Sequence, residues 1–125
     1  MIAHFILYVR DQELSTLFYS SVLNIEPILN VPGMTEFQLS DTSILGLMPE
    51  AGIKRLLSER LPDPGAGHGI PRAELYLRIS DAPQYHLRAL AAGALELSPA
   101  LARDWGDTVS YCLDPDGHVI AFAEA

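Results

Sequence analysis

The chain has 125 residues, 49% of them hydrophobic, which is long enough to bury a core without disulfides or a structural metal. Its 8 Lys and Arg against 16 Asp and Glu give a formal charge of −8, which argues against nucleic acid and anionic membranes as partners. The same charge favours a cationic ligand, although an acidic composition also serves solubility alone. The lone cysteine, Cys112, is expected to be a packed thiol, since it has no intramolecular partner. With a short N-terminal apolar run that lacks a basic leader, these features predict a cytoplasmic protein.

The first half of the chain is predicted to form a strand, a helix and a hairpin. Alternating side chains predict a strand over residues 2–9, and apolar residues at three- and four-residue spacing predict a helix over 11–23. Two further apolar segments, 34–40 and 43–48, flank a polar pair at 41–42. That arrangement is typical of a β-hairpin.

The second half repeats this order. A strand is predicted over 74–79, a helix over 81–92, and a hairpin within 105–124. In the hairpin turn, Pro115 presets φ at the first corner and Gly117 supplies the positive φ at the end. The chain therefore resembles one unit used twice.

Aligning the two halves places His4 against Glu74 and Asp11 against Asp81, an offset of 70 in both cases (74 − 4 and 81 − 11). A repeat of this length is not a solenoid period and indicates a duplicated βαβββ module in an α+β protein. The predicted organisation is a single domain, 1–125, with module one at about 1–49, a linker at about 50–71 and module two at about 72–125.

Each predicted helix has an apolar stripe and an aspartate that can cap its first turn. Asp11 and Asp81 are the expected N-caps, and Gly93 can end the second helix. The residues expected to pack on the sheets are Leu14, Leu17, Phe18 and Val22 in the first helix and Leu87, Leu90 and Ala91 in the second. Both helices are thus predicted to cover one face of a sheet.

The linker contains many prolines and glycines near its end, which favours irregular structure after a short helix at about 53–61. The apolar residues of that helix are Ile53, Leu56, Leu57 and Leu61. They would cover an opening as a lid, or pack outside as a passive connector.

Side chains alternate along a strand, so the first strand of each module presents one face to its helix and the other away from it. The faces predicted to meet the helices are formed by Ala3, Phe5, Leu7 and Val9 and by Leu75, Leu77 and Ile79. Polar groups on the opposite faces would be costly to bury without partners, which indicates a ligand site there. The predicted ligand-binding residues are His4, Ile6, Tyr8, Met48, Glu74, Tyr76, Arg78 and Trp105.

Three motifs carry a family resemblance. They are HFILYVRD at 4–11, FY at 18–19 before VL at 22–23, and DPDGHVIAF at 114–122. In this order the chain resembles the glyoxalase, bleomycin-resistance and extradiol-dioxygenase superfamily, also called vicinal oxygen chelate proteins, over nearly its whole length. The resemblance implies two βαβββ modules forming a U-shaped cleft of mixed sheets, usually in a homodimer, with a divalent metal in the metal-dependent members.

In metal-using relatives the ligands come from the first and last strands of each module, which the resemblance places at His4, Gly46, Glu74 and Ala121. Glycine and alanine have no side-chain donor atoms, so His4 and Glu74 are the two metal candidates. Two protein ligands are fewer than zinc or hard-ion sites commonly use. This favours a protein without a complete metal site and without a cofactor.

A shifted alignment would let Glu36, Glu124 or His118 supply a missing metal ligand. Glu124 lies three residues beyond Ala121 and should face the other side of its strand. His118 follows the turn and is expected at the surface.

Two further side chains have open interpretations. Trp105 would either plug the edge of the cleft or stack on a flat or cationic ligand. Arg103, like Arg78, would pair with an anionic ligand group, or it would bridge Asp104 or Asp107 at the surface.

The sequence thus predicts a small-molecule-binding protein, for drug or metabolite sequestration, that forms a homodimer. The alternative is an enzyme of the lyase, isomerase or dioxygenase type that uses His4 and Glu74 as metal ligands or as acid and base. A third interpretation is a subunit whose cleft has only a structural role. The ligand and the reaction stay open, because this fold hosts unrelated chemistries.

Overall fold

A computed structural model describes all residues, Met1–Ala125, and contains two βαβββ modules. The first module consists of β1 (Ala3–Val9), α1 (Gln12–Leu23), β2 (Leu29–Val31), β3 (Met34–Ser40) and β4 (Ser43–Pro49). The second consists of β5 (Glu74–Arg78), α3 (Ala82–Ala91), β6 (Leu95–Ala102), β7 (Thr108–Leu113) and β8 (Val119–Glu124). Strands β2 and β6 complete the modules, and the sequence pattern had assigned no residues to either. None of the three α-helices has the length and apolar character needed to span a membrane.

The two sheets have the same topology. Their strand orders are β1-β4-β3-β2 and β5-β8-β7-β6, with one parallel pair, β1 with β4 and β5 with β8, in each. Ile6 pairs with Gly46 in the first sheet, and Tyr76 pairs with Ala121 in the second. These pairs are separated by the predicted offset of 70 in the first strands (76 − 6) and by 75 in the last strands (121 − 46). The predicted α+β fold of two βαβββ modules is confirmed.

Contacts divide the chain into two compact units. The first contains residues 1–20 and 24–68, and the second contains 21–23 and 69–125. In the first unit Phe37, Leu45 and Leu47 are fully buried, and in the second Ile120 and Phe122 form the corresponding core. Burial of these apolar side chains is the main favourable term in folding each unit.

Cys112 is completely buried in β7, as the sequence predicts for a packed thiol. Desolvation, followed by the charges of Asp114 and Glu96, raises its pKa to about 12. Because the nucleophile is the thiolate, this side chain does not serve as one near neutral pH.

The second hairpin closes through a tightly bonded turn. The Asp114 carboxylate accepts hydrogen bonds from the backbone N–H groups of Asp116 and His118, at 2.9 and 2.8 Å. Gly117 has a φ of +87°, and a side chain there would collide with the backbone of Gly69. Glycine is therefore required by conformation and by space.

Both helices are rotated relative to the faces predicted from their apolar residues. Leu14 and Leu17 are exposed in α1, whereas the buried face is formed by Ser15, Thr16, Phe18, Tyr19, Val22 and Leu23. In α3 the buried residues are Ala82, His86 and Ala89, whereas Leu87 and Ala91 are exposed. Phe18 and Val22 are thus buried as predicted, whereas the apolar spacing misplaced Leu14, Leu17, Leu87 and Ala91.

The helix caps differ from each other. The Asp11 side chain accepts a hydrogen bond from the Leu14 N–H, so this predicted N-cap is confirmed. Asp81 has a φ of +61° and makes no side-chain cap, which corrects the second prediction. The N–H of Ala82 instead donates to Glu124 Oε1 at 3.1 Å, so a carboxylate from β8 occupies the position at the helix start.

The segment between the modules is partly helical. Helix α2 spans Glu50–Leu57, three residues earlier than expected, and is followed by 3₁₀ turns at Ser58–Arg60 and Pro64–Gly67. Ile53 is buried, whereas Leu56 and Leu57 are exposed. The predicted apolar cover therefore consists mainly of Ile53, and the lid role stays a prediction.

Candidate functional site

The second sheet presents a polar face on the side opposite to α3. Along β5, Leu75 and Leu77 are partly buried, whereas Glu74, Tyr76 and Arg78 are exposed, which matches the predicted alternation. The rings of Tyr85 and His86 in α3 contact Phe122 of β8. Because Phe122 pairs with Leu77, the helix covers the Leu75 and Leu77 side. The three polar side chains lie on the other side.

Asp107 is the centre of this polar face. Its carboxylate accepts a hydrogen bond from the Tyr76 hydroxyl at 2.6 Å and another from Arg78 Nη2 at 2.6 Å. A longer contact of 3.3 Å joins Arg78 Nε to the same carboxylate. Asp107 is 3% exposed, so the charge is compensated where water is largely excluded.

These contacts shift the ionisation of all three groups. Hydrogen bonds from Arg78 and then Tyr76 lower the pKa of Asp107, because they stabilise the carboxylate. Desolvation and the hydrogen bond to Asp107 raise the pKa of Tyr76, and contact with Asp107 raises that of Arg78. At neutral pH the network therefore contains an anion, a neutral phenol and a cation.

Trp105 extends the network to the surface. Its indole N–H donates to the Tyr76 hydroxyl at 2.9 Å, and the side chain is 57% exposed. A turn positions it: the N–H of Gly106 bonds to the Arg103 carbonyl, and the Arg103 N–H bonds to the Asp107 carbonyl. The exposure leaves the ring accessible to a ligand, and both the plugging and the stacking interpretations stay predictions.

Arg103 lies beside this turn and makes neither of the predicted surface bridges. Its Nη2 donates to the Ser98 hydroxyl at 2.6 Å and to the Val109 carbonyl at 2.9 Å. Its guanidinium carbon lies 5.1 Å from the centre of the Tyr111 ring, a cation–π distance. Its Nε is buried without a hydrogen-bond partner. No carboxylate compensates this cation.

The first sheet has a different pair at the corresponding place. His4 Nδ1 of β1 lies 3.1 Å from Glu36 Oε2 of β3. Glu36 is opposite Gly46 in β4, and the side chains of Ile6 and Met34 fill the place that a side chain at Gly46 would take. The partner of His4 within its unit is thus Glu36, one of the residues considered for a shifted alignment.

The remaining predicted ligand residues of the first unit lie along β1 and β4. Ile6 is exposed on β1 and pairs with Gly46, while Tyr8 and Met48 pair with each other and are partly buried. They form a mainly apolar continuation of the face that contains His4.

A sequence profile of the Glyoxalase/Bleomycin resistance protein/Dioxygenase superfamily matches residues 1–122, which is nearly the entire chain. The chain belongs to this superfamily. Among curated proteins, none matches the chain.

Solved structures of superfamily members share this fold. A glyoxalase-related enzyme from Fulvimarina pelagi has a TM-score of 0.83 at 22% identity, covering 100% of this chain and 88% of that chain. A glyoxalase/bleomycin resistance protein/dioxygenase family enzyme from Burkholderia phytofirmans PsJN has a TM-score of 0.80 at 15% identity, covering 97% and 95%. A glyoxalase/bleomycin resistance protein from Albidiferax ferrireducens T118 has a TM-score of 0.74 at 21% identity, covering 99% and 98%. Similarity at this level shows the fold, and function must be argued from the residues.

The metal positions of the superfamily do not fit a metal in this chain. Gly46 and Ala121 lie in the middle of β4 and β8, where the sequence alignment placed them, and neither has a donor side chain. His4 and Glu74 supply two ligand groups from four positions. Glu124 cannot substitute, because it lies on the α3 side of β8 and accepts the Ala82 hydrogen bond.

Another group of potential ligands lies in the β7–β8 turn. Ligand atoms of Asp114, Asp116 and His118 are all within 4.8 Å of one another. His118 is only partly exposed, rather than at the surface as predicted. Two backbone hydrogen bonds explain the burial of Asp114 as part of the turn itself.

The sequence analysis did not predict Asp107 as a residue of the ligand site. It was considered only as a surface partner for Arg103. An aspartate next to a glycine, directly before a strand, is also what a solvated turn contains. The available signal was the alternation that aligns Tyr76 and Arg78 on one face, since a guanidinium there needs a compensating anion.

Proposed function

We propose that this superfamily member binds a small organic molecule on the polar face of the second sheet, the face that contains Tyr76, Arg78, Trp105 and Asp107. The observation that carries the proposal is the connected hydrogen-bond network from Asp107 through Tyr76 to an exposed tryptophan. Such a network fixes side chains in place before a ligand arrives. Pre-organised groups lower the entropic cost of binding.

The composition of this face also supports ligand binding. An exposed indole provides an apolar platform, while the guanidinium of Arg78, whose side chain is 64% exposed, offers directed hydrogen bonds. Ligand sites typically combine aromatic surface with a few fixed polar groups. Binding here requires no metal ion and no cofactor.

Two further expectations belong to this proposal. The exposed apolar side chains of β1 and α1, including Phe5, Leu14 and Leu17, support assembly as a homodimer. The buried Cys112 thiol suits a reducing compartment, which supports a cytoplasmic location. Sedimentation velocity over a range of concentrations tests the dimer, and a single monomeric species at all concentrations would contradict it.

The single tryptophan of the chain makes the binding experiment direct. Small aromatic compounds are titrated while the Trp105 emission is recorded, and binding is measured independently by calorimetry. We expect a saturable change in emission with the same midpoint as the heat. The variant Asp107→Asn, which weakens the fixed network, should bind neutral aromatic compounds more weakly. Binding with full affinity by Trp105→Ala would place the ligand elsewhere.

The His4–Glu36 pair favours a second candidate function, an acid–base enzyme. A carboxylate on Nδ1 orients the imidazole and leaves Nε2 to exchange a proton with a substrate. His4 is 42% exposed, which permits such access. This pair lies within a single unit, and the predicted acid–base use of His4 with Glu74 stays a prediction.

Proton transfer is tested by following deuterium uptake from solvent into small carbonyl compounds by NMR. His4→Gln should abolish catalysed exchange, and Glu36→Gln should reduce it and alter its pH profile. His68→Gln changes an exposed histidine of the connecting segment and serves as the control. Exchange that survives His4→Gln unchanged would eliminate this candidate.

A further inference from the structure

We infer that the ligand of the Tyr76–Arg78–Trp105–Asp107 face carries an anionic group, such as a carboxylate, attached to a planar apolar part. The inference rests on the proposed function and specifies its ligand class. It departs from the cationic ligand that the net charge of −8 favours. The reason is that two guanidinium groups, those of Arg78 and Arg103, lie on this face or beside it, where a ligand can meet them directly.

Two cations belong to the network or lie beside it. Arg78 and Arg103 supply two guanidinium groups, whereas Asp107 is the one carboxylate bonded to either of them. Glu74 shares the face but lies four residues before Arg78, about 13 Å along an extended strand. The guanidinium end of the face is therefore the part that an anionic group can approach, although the chain is acidic.

Arg78 retains hydrogen-bonding capacity after it has paired with Asp107. A guanidinium has five N–H donors, and the contacts to Asp107 use Nε and one hydrogen of Nη2. The other three donors belong to Nη1 and Nη2, in a side chain that is 64% exposed. Two of them can reach a carboxylate in the bidentate geometry that makes such pairs strong.

Arg103 adds a second, uncompensated positive charge. Both acceptors of its Nη2 are neutral, a hydroxyl and a backbone carbonyl, and its buried Nε has no acceptor. A partly buried cation without an anion favours the approach of one. Its contact with the Tyr111 ring holds the guanidinium beside the face.

The tryptophan accounts for the planar apolar part. Its N–H is committed to the Tyr76 hydroxyl, which fixes the ring while more than half of its surface stays accessible. The strand residues beneath, Val109, Ala121 and Ala123, are fully buried, so a ligand contacts the layer of large side chains above them. An aromatic acid can stack on the indole while its carboxylate meets Arg78.

A matched set of probes tests the sign of the ligand charge. Phenylacetate, phenethyl alcohol and phenethylammonium share one ring and differ in charge, and none absorbs where Trp105 is selectively excited. Phenylacetate should bind roughly tenfold more tightly than the alcohol, because its carboxylate gains charge-assisted hydrogen bonds. Phenethylammonium should bind more weakly than either.

Arginine variants locate the effect. Arg78→Met should remove the roughly tenfold preference for phenylacetate. That variant leaves Asp107 buried and unpaired and can therefore unfold. The double variant Arg78→Met with Asp107→Asn removes both charges, and it should also lose the preference for phenylacetate. Arg72→Met removes the same charge from an exposed residue outside the sheet and should keep the preference.

The outcomes separate the two levels of the proposal. Saturable binding at Trp105 with equal affinity for the three probes, or tightest binding of phenethylammonium, overturns the anionic ligand but leaves small-molecule binding standing. A preference for phenylacetate that survives both Arg78 variants also overturns it. No emission change and no heat with any aromatic probe overturns the proposed function itself.

Discussion

The two modules have the same topology and register but present different chemistry at equivalent positions. At offsets of 70, His4 corresponds to Glu74, Ile6 to Tyr76, and Tyr8 to Arg78. The first module has an imidazole–carboxylate pair, His4 with Glu36. The second has a network in which an aspartate joins a phenol and a guanidinium.

This difference shows which part of a duplicated fold is free to diverge. The sheet register is set by backbone hydrogen bonds and by the apolar faces toward the helices, and both are preserved. The sheet faces on the side away from α1 and α3 do not pack against either of these helices. Their side chains can change charge and size while the backbone pairing stays unaltered.

The largest effect that distinguishes the modules is expected at their turns. Gly33 and Gly117 both have positive φ, +98° and +87°, but a side chain meets no atom at Gly33 and collides with the Gly69 backbone at Gly117. Gly33→Ala should cost about 1–2 kcal/mol of unfolding free energy from the backbone conformation. Gly117→Ala should cost about 4 kcal/mol or more, because the second hairpin must also shift.

Chemical denaturation measured by circular dichroism checks this pair. Equal losses of stability in the two variants would show that the approach of Gly69 to Gly117 does not hold the turn.

A smaller effect should appear at low pH in the second module. The pKa of Asp107 is lowered in the folded state, so its contribution to stability is complete above its unfolded value of 3.8 and is lost as the pH falls through the folded value. Asp107→Asn cannot make this contribution, so its stability should change less than the wild-type stability below pH 3.8.

Denaturant midpoints measured across the acidic range test this expectation. Asp41→Asn, at the turn of the first hairpin, is the control and should keep the wild-type profile. Parallel acid profiles for the wild type and Asp107→Asn would show that the Arg78 contact contributes nothing to folding.

The smallest effects are expected on the exposed faces of the two helices. Leu17 and Leu87 are equivalent by the offset of 70 (87 − 17), and both are exposed. Leu17→Gln and Leu87→Gln should each change the unfolding free energy of dilute protein by less than about 0.5 kcal/mol. Val22→Ala, at a fully buried site in α1, should cost about 2 kcal/mol. A large loss of unfolding free energy in Leu17→Gln would show that Leu17 packs on the sheet, as the sequence predicted.

Local patterns were sufficient for most of the fold. Alternation gave β1 and β5, the turn at Asp114–Gly117 gave the last hairpin, and the repeat offset aligned the modules. Strands β2 and β6 lack such patterns. The three residues of β2 are exposed, and Pro99 interrupts β6, so neither alternates clearly.

The candidate site was predictable in part. Tyr76, Arg78 and Trp105 were identified because alternation places polar side chains opposite the helix and the indole precedes β7. Asp107 was not identified as a site residue, since its burial and its two partners arise only when β5 approaches the start of β7. Thirty-one residues separate it from Tyr76 along the chain.

The sequence by itself determined the duplicated βαβββ plan and the absence of donor side chains at Gly46 and Ala121, because these depend on local periodicity and residue identity. Only the tertiary structure decided which helix faces are buried and which charges are paired. Such contacts join residues that are distant along the chain, as His86 meets Glu96 and Asp107 meets Arg78. Their energies depend on the distances and on the exclusion of water that the folded sheets create.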